Sequence, residues 1–313
     1  MTYKKHFLIL VSLVGALALT YAISVIVTAY AGSGSSMYSW LDPKLASRTA
    51  RIVMSADGNE IELVKKSNQW FVLNNGIEYP ARQMRVEDFI NIFTARSSWP
   101  VRSSSASTHS RFGLDQGQAR VTIYGENTAL LEVILGSDDI FRNETYFRKA
   151  GSNEVRSGSG AVKTYITGSV NGWYNLRLVP ETENGSLDVS SVQKLSVYAP
   201  EGVQVFTRKN RGWEISGIAV EKPDFSAVEN YARAVLNTEG DNFDDTISAS
   251  DPMLDAISIM LELGNGRVVT IRISVADESG RRYAHVAGKD YIYVIPTWAA
   301  NRLFKDASSF EMQ

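Results

Sequence analysis

The two halves of this 313-residue chain share one ordered pattern of residues, and this repeat constrains the fold more than any other feature. Most matched positions lie about 143 residues apart, and the spacing falls to 137 near the end of each copy, as small loop deletions in the second copy would produce. Such self-similarity predicts two structural units of one design. The matched pairs include Ala50 and Gln193, Trp70 and Trp213, Pro80 and Pro223, Gly113 and Met253, and Tyr146 and Tyr283.

Each copy begins with short strands and continues with an amphipathic helix. Asp57-Gly58-Asn59 and Ser67-Asn68 are turn signals between the first strands. Ser226 and Glu229 indicate a capping box at the start of the second helix. The apolar residues of both helices have the i, i+3, i+4, i+7 spacing that lines one helix face. They are Val86, Phe89, Ile90 and Phe93 in the first copy, and Val228, Tyr231, Ala232 and Val235 in the second.

Further strand patterns follow each helix, and a short helix ends each half at 161–167 and 297–305. Strands in runs joined by tight turns predict antiparallel sheets with helices on one face, which is the α+β class. The polar stretch 180–191 predicts a linker, and the serine-rich stretch 97–118 is the longest irregular segment. The predicted domains are residues 1–36, 37–180 and 181–313. The predicted strands are 51–55, 61–65, 69–73, 120–124, 130–135, 145–149, 154–156, 256–263, 268–275, 282–286 and 291–295.

An apolar segment near the N-terminus predicts a membrane anchor. Phe7–Val27 is almost wholly apolar, and as a helix it would span roughly the ~30 Å hydrocarbon core of a bilayer. Lys4 and Lys5 precede it, whereas the next charge is Asp42, so the positive-inside rule places the N-terminus in the cytoplasm. The residues expected to contact lipid are Phe7, Leu8, Leu10, Val14, Leu17, Leu19, Ile23, Val25, Ile26 and Val27.

Two other interpretations of this segment stay open. Ala29-Tyr30-Ala31 resembles a signal-peptide cleavage site, although the apolar run exceeds the ~7–15 residues of a usual signal sequence. A buried globular helix is the third interpretation. Both the anchor and the cleaved signal place the rest of the chain outside the cytoplasm, and the anchor makes the protein a single-pass protein of the cytoplasmic (inner) membrane, with its bulk extracytoplasmic or periplasmic.

Composition excludes several functions. The net charge of −2 lacks the basic surplus that nucleic-acid binding requires. Cysteine is absent, which excludes thiolate metal sites and cysteine nucleophiles, and only His6, His109 and His285 are available as imidazole ligands. Without a phosphate-binding loop or a nucleophile elbow, the sequence predicts no enzyme and no cofactor.

Several short motifs together resemble one bacterial family. An Asp-Gly turn and a Trp-bearing strand precede a Tyr79-Pro80-Ala81 step into a helix, and Phe112-Gly113-Leu114-Asp115 and Asn175-Leu176-Arg177-Leu178 follow. With the N-terminal anchor, this layout resembles the DUF4340 family of membrane-anchored proteins of unknown function. The resemblance covers nearly the whole chain, and Arg82 departs from the commoner Pro-Ala-Asp step.

The resemblance implies an accessory role, because such proteins often occur with ABC transporters of the gliding-motility type. It implies permease or ATPase subunits as partners, besides the membrane, and it carries over no catalytic residue. The alternative is an envelope protein that binds a sugar, lipid or peptide in a groove between its halves. That alternative requires exposed aromatic side chains, and Trp70 and Trp213 are the candidates.

Side chains with functional potential also have ordinary structural interpretations. Trp70 and Trp213 could stack on a ligand, but aromatic residues on half-buried strands usually belong to the core. The acidic run 239–245 lacks the spacing of a calcium loop, so a solvated loop is favoured over a divalent-ion site.

Two histidines and one basic turn are the remaining candidates for a functional role. His109, in the serine-rich stretch, could contact an anion or a partner, whereas His285 is expected at the rim of a sheet rather than as a general base. Arg208, Lys209 and Arg211 are interpreted as charges that keep a hairpin turn soluble.

Overall fold

The computed structural model describes residues 13–23, 37–115, 119–179, 187–210 and 212–312. Their contacts divide the chain into two compact units. The first unit comprises Met1–Gln69 and Gln83–Gly168, and the second comprises Trp70–Arg82 and Ser169–Gln313. The mixed α+β class with antiparallel sheets is therefore confirmed. The domain boundaries 1–36, 37–180 and 181–313 stay a prediction.

Among the described residues before 160 there are eleven strands, and nine of them form one sheet in the order β5-β4-β3-β2-β8-β9-β10-β11-β7. The other two, β1 and β6, pair with each other. In chain order they are β1 (Met37–Tyr38), β2 (Arg51–Ala56), β3 (Asn59–Lys66), β4 (Gln69–Asn74), β5 (Ile77–Pro80), β6 (Ser97–Ser98), β7 (Val101–Ser103), β8 (Ala119–Tyr124), β9 (Ala129–Asp139), β10 (Glu144–Lys149) and β11 (Val155–Ser159).

Eight later strands form the second sheet in the order β14-β13-β12-β16-β17-β18-β19-β15. Their alternation is clearest in β16, where every second side chain is buried because successive residues of a strand face opposite sides. They are β12 (Val192–Ala199), β13 (Gly202–Lys209), β14 (Gly212–Ser216), β15 (Asn242–Asp244), β16 (Ile257–Leu263), β17 (Val268–Ile273), β18 (Arg282–Val286) and β19 (Ile292–Ile295).

The described part of the chain contains few helices, and α3 (Gln83–Thr94) and α5 (Phe225–Leu236) bury the faces that their spacing predicts. Val86, Phe89 and Phe93 are buried on the first long helix, α3, and Ile90 is half-buried. Val228, Tyr231, Ala232 and Val235 are all buried on the second, α5. The helical segments are α1 (13–23), α2 (Pro43–Ala46), α3 (Gln83–Thr94), α4 (Ala161–Thr167), α5 (Phe225–Leu236) and α6 (Thr297–Leu303).

The start of α5 differs from the predicted capping box. Asp224 is the N-cap, and its Oδ1 accepts hydrogen bonds from the backbone N–H groups of Ser226 and Ala227. Glu229 has no part in the cap, because its carboxylate binds side chains of the neighbouring strands. Arg82, which stands before α3 where the family commonly has Asp, donates through Nε to the carbonyl oxygen of Tyr174.

The described part of the serine-rich stretch, residues 97–115, contains more regular structure than the sequence predicts. It contains β6, β7 and two 3₁₀ turns, Ala106–Thr108 and Ser110–Phe112. The second turn ends at Gly113, whose φ of 67° lies in the left-handed region that favours glycine. Leu114 then packs into a cluster with Ile134 and Val155, which explains the structural role of the Gly-Leu step.

Candidate functional site

The described part of the predicted anchor is helical. Residues 13–23 form a helix, and Val14, Leu17, Leu19 and Ile23 on it are exposed. Among the described residues, no helix combines the length and apolarity that would let it cross a bilayer. The remaining predicted anchor residues lie outside the described residues; they are Phe7, Leu8, Leu10, Val25, Ile26 and Val27.

Trp70 and Trp213 are both buried, as their core interpretation predicts. The indole Nε1 of Trp213 donates to Oε2 of Glu229 at 2.9 Å, and the guanidinium of Arg208 lies 4.3 Å from the centroid of the Trp213 ring. Arg208 also donates to Glu229 at 3.0 Å. The interpretation of Arg208 as a solvated turn residue is therefore wrong, because it closes a packed triad. Arg211 lies outside the described residues.

The acidic run is divided among separate structural contacts. Glu239 lies 3.4 Å from Nε of Arg177 and 3.8 Å from Nη2 of Arg82, which forms a small ion-pair network. Asp244 accepts hydrogen bonds from residues of its own turn, whereas Asp245 accepts one from Asn75 at 3.4 Å. Within the described residues, no group of three or more acidic or histidine side chains is arranged to hold a metal ion.

Both described histidines are buried and have structural contacts. Nε2 of His109 lies 3.1 Å from the carbonyl oxygen of Asn153. Nε2 of His285 lies 2.7 Å from the carbonyl oxygen of Lys289, so this nitrogen carries the proton and Nδ1 accepts from Arg272. His285 is thus enclosed in the sheet rather than placed at its rim.

The clearest unexplained surface lies at the tip of the β9–β10 hairpin. Ile140 is 88% exposed and Phe141 is 103% exposed, although the same hairpin buries Phe147 completely. Single exposed apolar side chains are common, but an adjacent pair that projects fully from one turn is the kind of feature that marks an interaction site. We name Ile140 and Phe141 the apolar apex.

One aspartate holds the turn that presents the apolar apex. Oδ1 of Asp139 accepts hydrogen bonds from the backbone N–H groups of Phe141 at 3.2 Å and Arg142 at 3.3 Å. Its Oδ2 accepts from the hydroxyl of Tyr146 at 3.2 Å. Burial and this hydrogen bond raise the pKa of Tyr146, so its hydroxyl stays a donor at neutral pH. The turn is therefore preorganised, which lowers the entropy that a partner must remove on binding.

The charges around the apolar apex are paired with one another. Asp138 lies 3.0 Å from Nζ of Lys163, and Glu144 lies 2.7 Å from Nη2 of Arg102. Asp139 lies 3.9 Å from Nη1 of Arg142. Because each carboxylate has a cationic partner, the apex projects from a surface with little local net charge. A hydrophobic partner can approach it without leaving an unpaired charge buried.

Sequence reasoning missed the apolar apex. The signal that was available is Ile-Phe enclosed by Asp138-Asp139 and Arg142-Asn143, because turns rarely carry two large apolar residues. The alternation of the sequence predicts a strand that ends at Leu135, whereas β9 continues to Asp139.

The family resemblance is confirmed by comparison with known families. The family described as Domain of unknown function (DUF4340) matches residues 70–256, more than half of the chain. No curated protein matches the sequence.

Proposed function

Because the chain belongs to the DUF4340 family, we propose that it is a non-enzymatic accessory protein of an ABC-type transport complex in the cell envelope. In this proposal Phe7–Val27 anchors the chain in the cytoplasmic membrane, and the residues that follow are extracytoplasmic. The permease is the expected direct partner, because it is the transporter subunit accessible from that side. The observation that carries the proposal is the apolar apex.

The apolar apex has the properties of an anchor residue pair at an interface. Fully burying an Ile or Phe side chain stabilises a complex by about 1.5–3 kcal/mol each, and aromatic residues are enriched among interface hot spots. A tether in the same membrane raises the effective concentration of partner and apex, so a small contact suffices for stable association. An apolar pocket on an extracytoplasmic loop of the permease is the occupant that we expect.

The proposal also holds that the two halves are copies of one unit. When the edge strand β5 is set aside, the strands of both sheets occur in one order, with β7 and β15 at equivalent ends. In each half a long helix follows the first group of strands, after β5 in the first copy and after β14 in the second, and a short helix follows the last strand. A duplicated scaffold lets one copy keep a contact surface while the other diverges.

Ligand binding through stacking on the paired tryptophans receives no support. It required Trp70 and Trp213 to be exposed, and both side chains are buried.

Photo-crosslinking in membranes tests the proposal. A benzophenone amino acid replaces Phe141 in the tagged full-length chain, and crosslinked proteins are identified by mass spectrometry. The matched control carries it at Val275, which is also exposed and lies beyond the end of β17 in the second sheet. We expect a permease crosslink from position 141 and none from position 275. Crosslinks to lipid alone, or the same proteins from both positions, would overturn the proposal.

A further inference from the structure

A cleft between α5 and α6 in the second unit has a different chemical character from the apolar apex. It encloses about 370 Å³, which lies in the range of small-molecule sites. Its walls are small residues of α5 and cationic residues of the C-terminal segment, and its floor is aromatic. The residues that line it are Ala227, Asn230, Tyr231, Ala234, Arg302, Lys305, Ser309 and Phe310.

The lining of the cleft carries two positive charges and no carboxylate. Within the part of the chain that the structure describes, neither Arg302 nor Lys305 lies within ion-pair distance of an acidic side chain. Arg302 instead places its guanidinium 5.1 Å from the ring centroid of Trp298, which is itself 55% exposed. The cations at this cleft are thus available to an external anion.

The floor of the cleft is apolar and fixed. The rings of Tyr231 and Phe310 lie 5.4 Å apart, and both side chains are buried. The hydroxyl of Tyr231 donates to the carbonyl oxygen of Leu303 at 2.7 Å, which joins α5 to the end of α6. Burial raises the pKa of Tyr231, so this hydroxyl remains a donor. These packed rings close the bottom of the cleft, and the apolar surface that a ligand can reach above them is supplied by the half-buried Ala227 and Ala234.

Small side chains on α5 leave the space open. Ala227 and Ala234 lie two turns apart on one face of the helix. At the offset of 142 that matches Val86 with Val228, the first copy has Arg85 and Ile92 at these positions. Both replacements are larger, and the guanidinium of Arg85 lies 4.7 Å from the ring centroid of Tyr165.

The cleft beside the matching helix pair of the first unit has a lining of the opposite charge. The cleft between α3 and α4 is lined by Asp88 at the position of Asn230, and no lysine or arginine lines it. Cations at the α5–α6 cleft are therefore a feature of the second copy alone and not a consequence of the shared design.

We propose that the α5–α6 cleft binds an anionic amphiphile, with its carboxylate or phosphate held by Arg302 and Lys305. Its apolar part lies along Ala227 and Ala234, above the buried rings of Tyr231 and Phe310 and beside the exposed ring of Trp298. This chemistry belongs both to anionic lipids of the adjacent membrane and to free organic acids or phosphate esters. The site is independent of the apolar apex, so either proposal can fail without the other.

Calorimetric titration of the full-length chain in nanodiscs of zwitterionic lipid tests the proposal. The probes are hexyl phosphate, which has both parts of the ligand, inorganic phosphate, which has only the anion, and hexanol, which has only the chain. We expect hexyl phosphate to bind at least tenfold more tightly than either other probe, and more weakly as salt rises. Equal affinity for hexyl phosphate and hexanol would overturn the proposal.

Two variants assign the binding to the cleft. Arg302→Gln with Lys305→Gln should weaken hexyl phosphate binding at least tenfold, and Ala234→Phe should abolish it by filling the space. The control, Lys44→Gln with Lys149→Gln, removes the same charge at exposed positions of the first unit and should leave affinity unchanged. Equal weakening by the control would show non-specific attraction and overturn the assignment.

Nanodiscs that contain anionic lipid separate the two sources of ligand. If the cleft takes a lipid headgroup, anionic nanodiscs should lower the apparent affinity for hexyl phosphate in the wild type. If affinity is unchanged, a soluble organic anion is the ligand class. No hexyl phosphate binding in either nanodisc would refute the proposal altogether.

Discussion

Replacing Glu229 by alanine should destabilise the second unit by about 2–3 kcal/mol, because one carboxylate satisfies two groups at once. The Nε1–H of Trp213 donates to it at 2.9 Å, and a buried donor left unsatisfied costs about 1–3 kcal/mol. The ion pair with Arg208 has side chains 24% and 28% exposed, so we add only about 0.5–1 kcal/mol for it. The better helix propensity of alanine offsets a few tenths of a kcal/mol.

A double-mutant cycle measures the part that belongs to the indole. Trp213→Phe removes the N–H donor, so Glu229→Ala should cost about 1–2 kcal/mol less in that background. Urea unfolding gives the free energies, and hydrogen exchange in β14 assigns the change to the second unit. Glu229→Gln keeps an oxygen acceptor and should lose less than Glu229→Ala. A cost below about 0.5 kcal/mol, or no coupling with Trp213, would refute the reasoning.

Three further predictions concern other parts of the fold. Phe147→Ala should cost about 3–5 kcal/mol of unfolding free energy, whereas Phe141→Ala should change it by less than about 0.5 kcal/mol, both measured in urea. Gly158→Ala should cost about 1–3 kcal/mol in the same assay, because the added Cβ would lie 2.0 Å from the Trp99 ring. Burial raises the pKa of Tyr291 to about 12, so the free energy of unfolding should be constant below pH 10 and should fall between pH 10 and 12. This alkaline loss should be smaller in Tyr291→Phe.

Matched controls accompany these predictions. Gly125→Ala should be nearly neutral, because the nearest atom to its added Cβ lies at 3.5 Å. Tyr198→Phe, at an exposed tyrosine, should leave the alkaline loss of stability unchanged. Equal effects of Gly158→Ala and Gly125→Ala would contradict the packing argument. A loss in Tyr291→Phe as large as in the wild type would contradict the assignment to Tyr291.

Local periodicity determined much of what the sequence predicted. The i, i+3, i+4, i+7 spacing of Val86, Phe89 and Phe93 is a property of the chain alone, and all three side chains are buried. Burial alternates along β2 and β16, whose apolar residues recur at every second position. The α+β class followed from such features, whereas the DUF4340 resemblance rested on short motifs such as Phe112-Gly113-Leu114-Asp115. The membrane anchor rests on the same kind of local reasoning and stays a prediction.

Contacts between distant segments decided the rest. β7 and β15 have three residues each, which is too short for a periodic signal, and only pairing with β11 and β19 makes them strands. The Ser226-x-x-Glu229 spacing indicates a capping box, but the true partners of Glu229 lie 16 and 21 positions earlier in the chain, where no local pattern reveals them. The apolar apex and the α5–α6 cleft depend on which side chains the packed core leaves exposed to solvent. Exposure is a property of the tertiary structure, because a phenylalanine is buried or exposed according to what packs over it, as Phe147 and Phe141 show within one hairpin.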